Sequence, residues 1–271
     1  MFLTKLRVFC TIRMKTYISI AALSAQLLMG IGSWHLAPVQ ASGASEIPSH
    51  NLLSTEEVVE RLVKKNLERA RALISYEGTR IYRLEYHGFP GARSAEMVVD
   101  VKYRSPVTKE FKIRSETGSH LIIDRVFHKL LQSEKEALTE ENQGHVALNA
   151  ENYRFVLIGY ESAPAGSCYV LSVEPRTKSK LLYRGQIWVD AEDFAVVRIE
   201  ATPAKNPSFW TKDTKIKQHY GKVGDFWLPV SNQSSSIIRL GGQADFTIEY
   251  RDYQITSADP LFSTDTVAGR R

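Results

Sequence analysis

Three groups of residues in this chain have types and spacings that suit chemistry. His120, Asp124 and His128 stand four apart, which on a helix puts two imidazoles and a carboxylate on one face, a partial ligand set for a divalent cation. A closed site takes four ligands and the spacing supplies no fourth, so the trio reads as a solvated helix face and no metal is expected. Asp190, Glu192 and Asp193 imitate a paired-carboxylate or calcium site, but no companion ligand set accompanies them and they read as the polar tip of a hairpin. Cys168 lies in the strand-like run Cys168-Tyr169-Val170-Leu171-Ser172-Val173 and reads as a small core residue rather than a reactive thiol. No Gly-x-Ser-x-Gly elbow, Ser-x-x-Lys pair, His-Glu-x-x-His or Walker-type loop occurs. No catalytic residue and no cofactor is assigned.

The elements that must position these residues are mostly two-faced strands. Gly185 to Ala201 is the clearest: Ile187 and Val189 alternate with Trp188 and Asp190, a turn falls at Ala191 to Asp193, and Val197, Ile199 and Ala201 return on one face. The same alternation appears in Tyr76 to His87, Met97 to Tyr103 and Val107 to Glu116. It recurs in Tyr153 to Tyr160, Ser167 to Glu174, Thr214 to Tyr220, Phe226 to Pro229, Ser235 to Leu240 and Ala244 to Ile255. Gly241-Gly242 marks a tight turn between the last two. Two helices interrupt the strands. Ser54 with Glu57 forms a capping box, Leu53 and Val58 a hydrophobic staple, and Val58, Val59, Leu62, Val63, Leu67, Ala70 and Leu73 recur at helical spacing. A second helix is expected over Ser119 to Leu138 with Leu121, Ile122, Phe127, Leu130 and Leu131 inward. The fold class is therefore mainly β with helices, one domain of about eleven antiparallel strands.

The first residues carry Lys5, Arg7, Arg13 and Lys15, then an apolar run from Tyr17 to Trp34, then Val39-Gln40-Ala41, a small-x-small cleavage signature. Ser24 and Gln26 interrupt the run, so residues 1–41 read as a cleavable secretory signal rather than a membrane span, and Met14 serves equally well as the start. Cys10 lies before the apolar run and no cysteine sits just after it, so no lipid anchor is expected. Cleavage after Ala41 removes four basic and no acidic residues, turning 35 Lys+Arg against 30 Asp+Glu into 31 against 30. The basic balance of the full chain thus belongs to the leader, and a nearly neutral remainder argues against a nucleic-acid partner. Cys168 is the one cysteine left, so no internal disulfide is expected. Residues 42–53 read as a flexible leader, 54–255 as the folded domain and 256–271 as a loose tail.

Gly185-x-Ile187-Trp188-Val189-Asp190 with the returning Val196-Val197-Arg198-Ile199-Glu200, in this order of helix, strands, helix, strands, resembles the outer-membrane lipoprotein-sorting superfamily. Its members include the periplasmic carrier LolA, the receptor LolB and the lipid-sensing regulator RseB. Asn152-Tyr153-Arg154-Phe155, Cys168-Tyr169-Val170-Leu171, Pro207-Ser208-Phe209-Trp210 and Phe226-Trp227-Leu228-Pro229 look like segments of its uncharacterised lipoprotein-sorting-like branch. The resemblance implies an unclosed β-barrel whose concave apolar face is covered by helices and accepts acyl chains in the periplasm.

A tail of about twelve methylenes forfeits roughly 10 kcal/mol in water relative to an apolar site. The side chains expected to line such a site are Tyr82, Leu84, Met97, Val99, Phe111, Ile113, Phe155, Leu157, Ile187, Val197, Ile199, Phe246 and Ile248, the alternative for each being core packing against the helices. Phe209 and Trp210 are candidates for a lid, or for a loop anchored by Trp210. Three functional readings stay open: a carrier of lipid or lipoprotein acyl chains with a membrane-protein donor or acceptor, an RseB-like lipid-sensing interaction module, and a hydrolase with an unrecognised site.

Overall fold

The computed structural model describes residues 53–106, 108–137, 147–163, 166–206, 211–239 and 241–258. Residues 1–52, which include the expected signal segment and most of the expected leader, lie outside this set, as do Phe209, Trp210 and the residues beyond 258.

Helix α1 (Thr55–Ala72) begins where its punctuation places it. Ser54 N donates to Glu57 Oε2 at 2.8 Å and Glu57 N donates back to Ser54 Oγ at 3.2 Å, so two otherwise orphaned N–H groups are satisfied by one reciprocal box. Glu56 and Glu57 occupy its first turn and Arg69 and Arg71 its last, matching the helix dipole at both ends. No loop follows: Leu73 is extended and opens the first strand.

Among the described residues ten strands form one sheet: β1 (Leu73–His87), β2 (Arg93–Arg104), β3 (Thr108–Gly118), β4 (Tyr153–Ala163), β5 (Gly166–Pro175), β6 (Tyr183–Asp190), β7 (Val196–Pro203), β8 (Thr211–Val223), β9 (Phe226–Ile238) and β10 (Gln243–Ser257). Their order is β3-β2-β1-β10-β9-β8-β7-β6-β5-β4, with every neighbouring pair antiparallel. The sheet does not close: β3 and β4 remain its two edges, giving an open half-barrel. Ten strands replace the expected eleven because Phe226–Pro229 and Ser235–Leu240 belong to the single strand β9. Pro229 is tolerated there beside a register shift between His219 and Tyr220 of β8, a place where the ladder already lacks a regular bond.

Between β3 and β4 runs a helical segment of α2 (His120–Ile122), a π-helical turn (Ile123–Phe127) and α3 (His128–Ala137). The wider turn changes which residues face inward: Ile122, Ile123, Phe127, Leu130 and Leu131 are buried, whereas Leu121, expected inside, is exposed.

The interior has two apolar lobes. Under α1, Val58, Val59 and Leu62 meet Tyr153, Tyr169, Leu171, Val173, Ile187, Val189, Val196 and Ile199 from β4 to β7, with Leu53 packed beside them as the staple requires. Under the second helical segment, Ile122, Ile123, Phe127, Leu130 and Leu131 meet Tyr82, Leu84, Met97, Val99, Val101, Phe246, Ile248 and Tyr250 from β1, β2 and β10.

Candidate functional site

Residues directly opposite in an antiparallel pair point to the same face, so the registers can be followed from strand to strand across the whole sheet. One transverse row reads Glu116, Met97, Tyr82, Ile248, Asn232, Gln218, Ile199, Ile187, Leu171, Leu157 from β3 to β4. The next reads Gly118, Ala95, Leu84, Phe246, Ser234, Ile216, Ala201, Gly185, Val173, Phe155. Both rows lie on the helix-covered face, because each contributes side chains to both lobes.

Most of the residues expected from sequence to line a ligand site fall on these rows. Tyr82, Met97, Ile187, Ile199, Ile248 and Leu157 share the first and Leu84, Phe246 and Phe155 the second. Val99 pairs with Ile113 one row further along, and Phe111 with Val101 beyond that. The strands therefore bring them together on one surface, but in two groups: Tyr82, Leu84, Met97, Val99, Phe246, Ile248 and the half-buried Phe111 in one lobe, and Ile187, Ile199 and the half-buried Phe155 and Leu157 in the other. Ile113 is 41% exposed because β3 is an edge strand with no neighbour beyond it. Val197 stands apart. Val189 pairs with Val196 and Trp188 with Arg198, so Val197 is the extra residue of a bulge, and Val196 takes the inward place assigned to it from simple alternation.

Polar residues interrupt this apolar face in two places that hydropathy did not single out. The first is a buried charge cluster. Arg80 Nη1 donates to Glu134 Oε2 at 2.8 Å and Oε1 at 3.0 Å, and Lys109 Nζ donates to Glu134 Oε1 at 2.5 Å, tying β1 and β3 to α3. Burial pushes the Glu134 carboxyl up, but Arg80 and Lys109 outweigh it and hold the group below its ordinary value. The guanidinium of Arg80 also lies 5.0 Å over the Tyr250 ring and 5.8 Å over that of Phe111, and reaches the Tyr82 hydroxyl at 3.2 Å. Burial raises the Tyr82 phenol, so it stays protonated. Parity carried the signal: Arg80 alternates in step with Tyr76, Tyr82 and Leu84, and Lys109 with Phe111 and Ile113.

The second interruption runs down the middle of the sheet on β8 and β9. Thr214, Gln218, Asn232, Ser234 and Ser236 are all buried there, between the two lobes. Thr214 and Ser236 share a hydroxyl contact at 2.8 Å, and Asn232 Nδ2 donates to Gln218 Oε1 at 3.1 Å. Among the described residues Gln218 Nε2 and Asn232 Oδ1 have no hydrogen-bond partner.

The residues first considered for chemistry are used otherwise. Asp190 Oδ1 accepts from the N–H groups of Glu192 at 3.0 Å and Asp193 at 2.7 Å, closing the hairpin turn. Asp193 Oδ2 accepts from Trp227 Nε1 at 2.8 Å and Lys222 Nζ at 2.7 Å, while its carbonyl accepts from Arg69, so the tip docks on α1, β8 and β9. Burial raises the Asp193 carboxyl, and the bonds from Lys222 and Trp227 reverse that and leave it lowered. His128 Nε2 lies 2.5 Å from Glu116 Oε1, at the β3 end of the first row. Among the described residues no three His, Cys, Asp or Glu side chains are grouped to hold a metal. Cys168, paired with Asp190, is half-buried, and burial raises its thiol, with Asp190 and Glu161 adding to the effect. On β8 and β9 the Oγ of Ser231 lies 3.4 Å from His219 Nδ1, and the residue opposite His219 on β7 is Arg198.

Fold and site together define a class: an open antiparallel half-barrel with an apolar, helix-covered face and a polar centre. No protein-family model and no curated relative matches the chain. Among solved structures it is similar to a DUF1329 family protein from Desulfovibrio piger ATCC 29098, at 11% identity over 74% of this chain and 93% of that one, with a TM-score of 0.38. It is similar also to the LolA superfamily protein NE2245 from Nitrosomonas europaea, at 10% identity over 80% and 100% of the two chains, TM-score 0.35. A third is an outer membrane lipoprotein-sorting protein domain from Vibrio parahaemolyticus, at 11% identity over 75% and 94%, TM-score 0.36. At such scores these likenesses decide nothing about function, and the functional reading rests on this chain's own geometry.

Proposed function

We propose that this protein is a periplasmic, non-enzymatic carrier that holds a lipid, or the acyl chains of a lipoprotein, between the helix-covered face of its half-barrel and the helices above it. The observation that carries this reading is the pair of transverse rows, which present apolar side chains on both sides of the sheet's centre under two helical covers. An acyl chain entering between sheet and helix exchanges water for these side chains, at about 0.8 kcal/mol per methylene buried. No helix among the described residues is long and apolar enough to cross a membrane, and the signal segment read in residues 1–41 would deliver the mature chain to the periplasm. A membrane protein that donates or accepts the cargo completes the cycle.

The test is native mass spectrometry with lipid extraction on protein purified from a periplasmic fraction. A stoichiometric lipid or lipopeptide is expected. A bare mass that persists after incubation with lipid vesicles and with an acylated peptide would remove the carrier reading and leave a partner-binding module.

A further inference from the structure

We infer that Gln218 and Asn232 form a neutral polar subsite that recognises the linker of a two-chain acyl lipid, one carrying ester, amide or hydroxyl groups between its chains. This deepens the carrier reading and rests on it. Gln218 is 0% and Asn232 1% exposed, and both lie at the middle of a row that is apolar on either side, between Ile248 and Ile199. They bond to each other once, and that bond leaves one buried donor, Gln218 Nε2, and one buried acceptor, Asn232 Oδ1, without a partner among the described residues. Burying a polar atom without a partner is unfavourable, so native proteins retain few such atoms. Here a donor and an acceptor stand side by side, the complement of a group that offers a carbonyl and a hydroxyl or amide N–H.

The surroundings select against a charged head. Along both transverse rows the sole ionisable side chain that carries a charge at neutral pH is Glu116, out on edge strand β3, while Ser234, Gln218 and Asn232 at the centre are neutral. A free carboxylate or phosphate placed at this centre would be desolvated, and the buried cations of this face, Arg80 and Lys109, are already held by Glu134. The arrangement of an apolar lobe, a neutral hydrogen-bonding centre and a second apolar lobe instead matches a molecule with two apolar arms and a neutral polar middle.

The probes are 1,2-dioleoylglycerol, which has that pattern, oleate, which ends in a carboxylate, and diphenylhexatriene, a hydrocarbon whose fluorescence reports occupancy of an apolar site. Dioleoylglycerol is expected to displace diphenylhexatriene from the wild-type protein more tightly than oleate. The double variant Gln218→Leu/Asn232→Leu is expected to bind dioleoylglycerol about 25-fold more weakly, roughly fivefold for each net hydrogen bond lost, with diphenylhexatriene affinity unchanged within twofold. The exchange variant Gln218→Asn/Asn232→Gln keeps one donor and one acceptor and is expected to recover at least part of the loss. Undiminished dioleoylglycerol binding by the leucine variant, with diphenylhexatriene still bound, would overturn this inference and leave the carrier reading standing. Equal loss of both probes would reduce the pair to a structural role and overturn it too. If wild-type protein takes up neither probe, the carrier reading itself falls and the subsite with it.

Discussion

Glu134 is the residue on which the packing of α3 turns. It is fully buried and is the carboxylate that Arg80 and Lys109 share, so that two buried cations lean on one anion. Replacing such a pair by apolar groups can be neutral, but removing one partner strands the others without compensation. Glu134→Gln is therefore expected to lower the unfolding free energy by about 3–5 kcal/mol, measured by urea unfolding at neutral pH. The sign of the pH dependence follows from the same contacts. Because the folded state holds the carboxyl below its ordinary value of 4.5, the folded protein binds this proton less readily than the unfolded chain. The stabilisation is complete above the unfolded value and is lost as the pH falls through the lower folded value. Unfolding curves taken from neutral pH down to about 3 are expected to show a steep acid limb in the wild type and a flatter one in Glu134→Gln.

Among the elements, the β6–β7 hairpin is held by close approach as much as by alternation. A Cβ built on Gly185 would lie 2.2 Å from the Glu200 carbonyl oxygen and 2.7 Å from Ala201 Cα, and its φ of +151° is one that side chains rarely adopt. Gly185→Ala is expected to cost about 1–3 kcal/mol. Gly159→Ala on β4 is the control: its Cβ would meet Val170 Cβ at 3.9 Å, an ordinary contact, and a change within about 0.5 kcal/mol is expected from thermal unfolding.

The elements also show where sequence was informative. The start of α1 was legible because a capping box is a local bond between residues three apart, and most strands were legible because one apolar face must meet the helices. The middle of β9 was hidden because its inward residues are Asn232, Ser234 and Ser236 while Val230 is exposed, the reverse of the usual pattern. Bulges hid the rest: past each extra residue, as at Val197, counting by twos assigns the wrong face. The inward face was thus readable wherever the alternation ran unbroken, and its polar centre was not, since nothing in hydropathy separates a buried amide from a solvated one.

For the whole molecule, the decisive contact is the one between the first strand and the last. β1 pairs with β10 from Leu73↔Ser257 to His87↔Gln243, in the interior of the sheet, and β10 carries Phe246, Ile248 and Tyr250 into the lobe under α3. A chain ending at Ile238 keeps β1 and β9 but loses the strand between them, leaving each with an unpaired edge and one lobe without three of its aromatic and aliphatic members. Such a truncation is expected to show no cooperative unfolding transition by circular dichroism, whereas the full chain shows one.

The seam between β1 and β10 also orders events in time. A polypeptide emerges from the ribosome N-terminus first, so β1 waits through the synthesis of every other strand before its partner β10 exists. Under the export proposed above this wait is useful: a translocation channel passes an unfolded thread, and a sheet whose β1 and β9 lack the strand between them until the last one arrives stays threadable until the end. The topology acts as a clock: the helix-covered face takes its folded form only once β10 has been made.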